Sequence, residues 1–168
     1  FAQIFAKVRG VNLREVGSGN PGATNAGRAM GRRTGVIVAL LDIAKGFIPA
    51  ALAAWWFGDL FGVVAGGAAV LGHVTSPWLG FKGGKGVATA GGVVLALRPL
   101  WAIPVIVVFV IVYALTKRMG VASVAGAAML IPSALLLGKY PYDVFLAAVV
   151  AVLIAVRHST NLKEFINR

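Results

Sequence analysis

Long apolar runs at 34–57, 60–76, 87–97, 100–116, 119–137 and 143–157 leave little of this chain for anything else. A helix needs about 20 mostly apolar residues to cross a bilayer. The runs therefore predict an all-α, polytopic membrane helix bundle. Composition points the same way. Only 12% of the 168 residues are charged and 59% are hydrophobic, whereas a soluble domain carries about 25% charged residues. Too few charges remain to coat a globule in water.

The stretch Phe1–Ala6 is apolar up to Lys7. It reads as the tail of a further span, so seven spans are expected, the first truncated at the N-terminus. Two of the seven are short. The 60–76 run contains His73, and the 87–97 run stops at Arg98-Pro99. Fusing 87–116 into one kinked helix is the lesser alternative. Pro99 would remove a backbone donor there, and Arg98 would sit at bilayer depth. No cleavable signal peptide is visible. No internal repeat or linker divides the chain, so residues 1–168 are expected to form a single domain.

Orientation follows from the basic residues, since Lys and Arg concentrate in cytoplasmic loops. Lys7, Arg9, Arg14, Arg28, Arg32 and Arg33 share the first loop. Lys82, Lys85, Lys117, Arg118, Arg157, Lys163 and Arg168 fall in alternate loops on the same side. Only Arg98 and Lys139 lie opposite, and Lys45 is inside a run. The basic side is assigned to the cytoplasm. The formal net charge of +11 thus fits topology and anionic lipid or phosphate better than nucleic acid, for which no aromatic-basic strip exists. Glycines at 62, 66, 67, 86, 91 and 92 predict close helix packing through small residues.

Three polar clusters fall on the basic side. The first runs from Val16 to Arg28 and mixes Gly17, Ser18, Gly19, Asn20, Pro21, Gly22, Thr24 and Asn25. Such a loop can aim backbone N–H groups at an anion, and Arg28 can add a bidentate phosphate contact. It contains G-x-G-x-x-G, but no strand precedes it, so a dinucleotide fold is not indicated. The plainer reading is a turn cornered at Asn20-Pro21-Gly22. The second cluster spans Gly72-His73 to Thr89 and includes Lys82, Gly83, Gly84, Lys85 and Gly86. Its spacing departs from the nucleotide-binding P-loop. Two lysines among glycines still suit a phosphate, although membrane anchoring alone would also explain Lys82. The third is Arg157-His158-Ser-Thr-Asn161-Leu-Lys163. His158 and Asn161 are three apart, so on one helix end they face one way. Convergence of Ser18, Arg28, Lys85, His158 and Asn161 on one cavity is the spatial expectation.

Asp42 and Lys45 sit three apart inside a run, as a mutual ion pair would require. With five acids in the chain, no paired-carboxylate site or acidic metal cage assembles, which disfavours Mg²⁺-dependent phosphoryl transfer. The absence of cysteine excludes a thiol nucleophile and a thiolate-bound metal. No metal or cofactor is expected.

Taken together and in this order, the motifs Ser18-Gly-Asn-Pro-Gly-Ala-Thr-Asn25 with Arg28, Gly72-His73, Gly80-Phe-Lys-Gly-Gly-Lys-Gly-Val-Ala-Thr89 and Arg157-His158-x-x-Asn161 resemble the bacterial acyl-phosphate:glycerol-3-phosphate acyltransferase family (PlsY). The Leu41-Asp42-x-x-Lys45-Gly46 step fits as well. The resemblance implies seven membrane helices and a site facing the cytosol. It implies an acyl phosphate as donor, glycerol 3-phosphate as acceptor and 1-acylglycerol 3-phosphate (lysophosphatidic acid) as product, an early step of phospholipid biosynthesis. A soluble enzyme that makes the donor would be a transient partner. Site-forming positions carried over are Ser18, Asn20, Thr24, Asn25, Arg28, Lys85, His158 and Asn161, with His73 and Lys82 less defined in role. Ser18, Lys85 and His158 are the catalytic candidates. Gly19, Gly22, Gly83, Gly84 and Arg157 join the substrate- or phosphate-binding set.

An acyl phosphate is already activated, so orientation and oxyanion stabilisation suffice without a covalent intermediate. Ser18 is read as a hydrogen-bond donor rather than a nucleophile. The base is either His158 or the substrate's own phosphate. A transporter of a small organic phosphate is the main alternative, disfavoured because carriers bind near the midplane. A lipid phosphatase would need a nucleophilic His or a metal site.

Overall fold

The computed structural model describes residues 1–167. Arg168, counted above with the basic side, lies outside the described residues. Ten α-helices and two 3₁₀ turns account for the described fold, with no strand among those residues. The chain divides into two compact units, Phe1–Leu97 and Arg98–Arg168.

The first unit holds α1 (Ala2–Val8), α2 (Ala23–Met30), α3 (Arg32–Phe57), α4 (Asp59–Val74), a 3₁₀ turn at Pro77–Leu79 and α5 (Val87–Leu97). Helix α3 packs against α2, α4 and α5. Glycine makes the approaches close. A Cβ on Gly46 of α3 would run into the Thr89 carbonyl of α5, and one on Gly92 of α5 would run into the Ile43 carbonyl of α3. Gly62 of α4 meets the Ala50 carbonyl of α3 in the same manner, and Gly66 of α4 packs closely on Val93 of α5. The expectation of small-residue packing holds at these positions. It fails at Gly67 and Gly91, where a Cβ would meet open space. Below the long helices, Ala2, Ala6, Leu13, Ala26 and Val38 form a fully buried cluster that seats α1, α2 and the intervening loop on α3.

The second unit holds a 3₁₀ turn at Pro99–Trp101, then α6 (Ala102–Thr116), α7 (Met119–Ala128), α8 (Leu130–Leu137), α9 (Tyr142–Arg157) and α10 (Ser159–Ile166). The break at Arg98-Pro99 is present as expected. The 119–137 run, expected as one segment, is divided at Met129. Pro132 has no N–H to offer the Ala128 carbonyl, and the Ser133 hydroxyl and amide both donate to the Met129 carbonyl, at 2.6 and 3.1 Å.

Four helical segments are long and apolar enough to cross a membrane: Arg32–Phe57, Asp59–Leu79, Pro99–Thr116 and Met119–Leu137. Helices α9 and α10, bent by 62° at their junction, make a fifth if taken as one span. The protein is thus an integral membrane protein by composition and helix length. The other two segments expected to span are shorter. Helix α1 has 7 described residues and α5 has 11. At about 1.5 Å per residue, α5 rises about 16 Å, roughly half the hydrocarbon thickness.

The second unit is pinned by a buried ion pair that sequence patterning did not reveal. Arg98 Nε and Nη2 both donate to Asp143 Oδ1, at 3.0 and 2.7 Å. Asp143 Oδ2 accepts the amides of Lys139 and Tyr140, at 2.7 and 3.1 Å. The guanidinium also lies over the rings of Trp101 and Tyr140. Every carboxylate oxygen is therefore satisfied, the condition under which a buried pair is tolerated. Asp143→Ala would leave the arginine charge buried beside apolar groups and is expected to cost about 3–5 kcal/mol. Thermal melts in detergent test this. Asp143→Ala should melt far below the parent, whereas Arg98→Met combined with Asp143→Leu should recover most of the loss.

Candidate active site

Helix α2 needs a loop to turn the chain out of α1, and that loop is the first polar cluster. Asn25, 1% exposed, clasps it from inside. Its Nδ2 donates to the Leu13 and Val16 carbonyls, at 3.1 and 2.9 Å, and its Oδ1 accepts the Ser18 amide at 3.1 Å. Gly17 and Gly19 take positive φ, and a Cβ on Gly17 would strike Asn25 Oδ1. Arg28 Cδ lies 3.8 Å from the same point, so the arginine stem runs over the loop. Ser18, Thr24 and Arg28 are exposed and Asn20 is half-buried.

The second cluster follows α4. The 3₁₀ turn at Pro77–Leu79 leads into Gly80 and Phe81, both left-handed. The chain then folds back on α4: Gly83 N–H donates to the Val74 carbonyl at 2.9 Å and Gly84 N–H to the His73 carbonyl at 3.2 Å. A Cβ on Gly83 would overlap those carbonyls, and one on Gly84 would overlap the His73 imidazole. Lys85 emerges half-buried between buried Gly84 and Gly86, just ahead of α5, while Lys82 is exposed.

These two loops are joined by a residue counted above only for its charge. Arg14 Nη2 donates to the Lys82 carbonyl, and its Nη1 lies 3.5 Å from the Gly19 carbonyl. One guanidinium therefore ties residues 68 positions apart. Beside them opens a cavity of about 350 Å³. Lys45, His73, Ser76 and Gln3 contribute polar atoms to its wall, and Ala69, Pro21, Trp78 and Leu79 contribute apolar ones. Lys45 Nζ sits 2.6 Å from Asp42 Oδ1, the ion pair expected from their spacing, and also bonds His73 Nδ1.

The glycine loops were read as backbone cradles for an anion. The amides of Ser18, Gly19, Gly22, Gly83 and Gly84 instead donate to the protein's own oxygens. Glycine serves at these positions to let the chain approach itself, and Arg28, Lys82, Lys85 and Lys45 are the cationic side chains on or near the loops.

The third cluster lies in the second unit, at the α9–α10 bend. The same-face argument assumed one continuous helix end; the chain instead breaks at His158, which caps α10. His158 is buried, and its Nδ1 donates to the Ile154 carbonyl at 2.8 Å. In the neutral ring this assigns the proton to Nδ1 and makes Nε2 the acceptor nitrogen. Asn161 packs on Gly120 of α7, where a Cβ would lie 2.8 Å from Asn161 Cβ. Gly120 was not singled out from sequence. Arg118 holds α10 from α7, its Nη1 3.4 Å from the Glu164 carbonyl and its guanidinium over Phe165. Arg157 is half-buried at the last turn of α9.

Apolar helices of membrane-spanning length, with cation-rich polar loops and an amphipathic cavity beside two of them, define the architecture of an integral membrane protein. Comparison with known proteins narrows this further. The family model for glycerol-3-phosphate acyltransferase matches residues 1–168, and the chain belongs to that family. The glycerol-3-phosphate acyltransferase of Aquifex aeolicus is 43% identical over 99% of this chain and 88% of its own length. That of Anaeromyxobacter sp. is 39% identical over 95% and 81%. The crystal structure of PlsY (YgiH), an integral membrane glycerol 3-phosphate acyltransferase in its glycerol 3-phosphate form, superposes with a TM-score of 0.95 at 40% identity, over 99% of this chain and 84% of that one.

The clasp makes a prediction about Asn25. Asn25→Ala removes three hydrogen bonds of a buried side chain and should loosen the loop by about 1–3 kcal/mol. Trypsin cleavage after Arg14 in detergent should accelerate at least several-fold, with cleavage after Lys117 unchanged. Equal rates in parent and variant would show that the amide does not hold the loop.

Proposed function

We propose that this chain transfers a fatty acyl group from an acyl phosphate to glycerol 3-phosphate, yielding lysophosphatidic acid and inorganic phosphate, at the cytoplasmic face of a bacterial inner membrane. Both compact units serve that one activity as a single acyltransferase domain over residues 1–168. Family membership supports the reaction class. So do the glycerol 3-phosphate and lysophosphatidic acid forms in which relatives at 40% and 39% identity have been crystallised. The observation that supports the reading most is the pair of loops joined by Arg14, which borders a largely apolar cavity walled in part by Lys45 and His73. A phosphate and a fatty chain are the two halves of both donor and product.

In the proposed step the acceptor hydroxyl oxygen attacks the acyl carbonyl. The new ester C–O bond forms as the acyl–phosphate bond breaks, and the phosphate leaves with the electron pair. Lys85 and Arg28 stabilise the leaving phosphate, and the Ser18 hydroxyl donates to an anion oxygen. Asn20 and Thr24 add polar contacts on the same loop, with Asn25, Gly19 and Gly22 setting its shape. Lys82, His73, Gly83 and Gly84 shape the second loop. Arg157 and Asn161 hold substrate oxygens, and His158 takes the hydroxyl proton on Nε2, unless the substrate's own phosphate does so. Neither route calls for a cofactor. The donor would be made by a soluble enzyme, making this an early step of phospholipid synthesis.

Purified protein assayed with acyl phosphate, acyl-CoA or acyl carrier protein, each with glycerol 3-phosphate, tests the donor; only acyl phosphate should yield product. Lys85→Met should lower kcat/KM by about 10²–10³, the size of one lost oxyanion donor. For His158→Gln, a rate–pH profile with the parent's acid limb missing would assign the base to His158. Retention of most activity and of that limb would assign the proton to substrate phosphate.

A further inference from the structure

Helix α3 carries a buried carboxylate that no step above uses. Asp42 is 2% exposed. Its Oδ1 accepts Lys45 Nζ at 2.6 Å, and the same ammonium reaches His73 Nδ1 on α4. Asp42 Oδ1 and His73 Nδ1 are 3.9 Å apart, so the lysine bridges the two. An ammonium can only donate. His73 Nδ1 is therefore the acceptor, and in the neutral ring the proton sits on Nε2. Pro49, four residues beyond Lys45, has no amide hydrogen for the Lys45 carbonyl, so α3 lacks one helical hydrogen bond at this step.

His73 then grips the lysine loop in two ways. Its carbonyl accepts the Gly84 amide at 3.2 Å. Its imidazole fills the space a Gly84 side chain would take. Lys85 is the next residue.

We propose that Asp42, Lys45 and His73 form a positioning relay for Lys85. The carboxylate fixes the ammonium, the ammonium fixes the imidazole, and the imidazole with its backbone carbonyl sets the loop from which Lys85 emerges. Lys45 is a positioning residue: although it lines the cavity, it acts through His73 and not by contact with substrate. The relay deepens the acyltransfer reading and rests on it for its catalytic consequence.

A double-mutant cycle tests the relay. Lys45→Met and His73→Asn should each lower kcat at least tenfold when assayed well below the thermal midpoint, which Lys45→Met lowers by leaving the Asp42 carboxylate buried and uncompensated. The double variant should be no worse than the poorer single, because both changes cut one chain. Lys45→Arg keeps a donor to carboxylate and ring and should stay within several-fold of the parent. Losses that multiply in the double variant would mean that Lys45 touches substrate directly, and the relay would be wrong.

A second readout needs no turnover. The chain has two histidines, and the structure gives them opposite tautomers, since His158 Nδ1 donates to a carbonyl while His73 Nδ1 accepts from an ammonium. Long-range ¹⁵N–¹H spectra of histidine-labelled protein should report Nε2–H for His73 and Nδ1–H for His158. Lys45→Met should shift the His73 Nδ1 resonance and Lys45→Arg should leave it. A protonated Nδ1 on neutral His73 in the parent would overturn the relay. Absence of acyltransfer by the parent with a correct His73 tautomer would instead overturn the acyltransfer reading alone.

Discussion

Two glycine-rich loops, one clasped by Asn25 and one folded back on α4, are tied to each other by a single side chain. Ordering a residue costs about 1–2 kcal/mol of backbone entropy, and glycine, the most permissive residue, costs the most. Arg14 supplies that tie. Its guanidinium reaches the Lys82 carbonyl on one loop and lies near the Gly19 carbonyl on its own. Charge-assisted hydrogen bonds of this kind are stronger than neutral ones, and the planar fork suits two acceptors at once. That junction sets the loop of Ser18 against the loop of Lys82.

Around it, glycine does two jobs for one reason, the lack of a Cβ. Between helices, Gly46 and Gly92 let α3 and α5 come near enough for the backbone of each to lie against a carbonyl of the other. That contact holds the short α5, whose N-terminus follows Lys85. Within the loops, Gly17, Gly83 and Gly84 let the chain fold against Asn25, Val74 and His73. The amides of Ser18, Gly19, Gly22, Gly83 and Gly84 are thereby spent on the protein's own oxygens.

Helices were the most legible part. The run at 87–97 coincides with α5, that at 34–57 falls within α3, and the stop at Arg98-Pro99 appears where expected. Those features write themselves locally, as hydrophobic length and a proline. The Asp42–Lys45 pair was legible because residues three apart share a helix face. Other features leave no local trace. The division at Met129 depends on Pro132, a proline that membrane helices often absorb. Arg98 and Asp143 are 45 residues apart, and either charge alone looks like an interfacial residue. His73 joins Lys45 only once α4 packs on α3. Arg14 is the clearest case: its acceptors are backbone carbonyls, which every residue has, so no residue type marks the partner. The three polar clusters stood out by composition on the basic side, while their roles came from resemblance to a family, and spacing alone left plain turns and membrane anchoring open.

Amide hydrogen exchange on Arg14→Gln in detergent micelles tests the junction most directly. The account predicts that protection falls together in residues 16–22 and 82–86, while α3 and α5 keep theirs. Protection lost in only one of the two loops, or in neither, would contradict it.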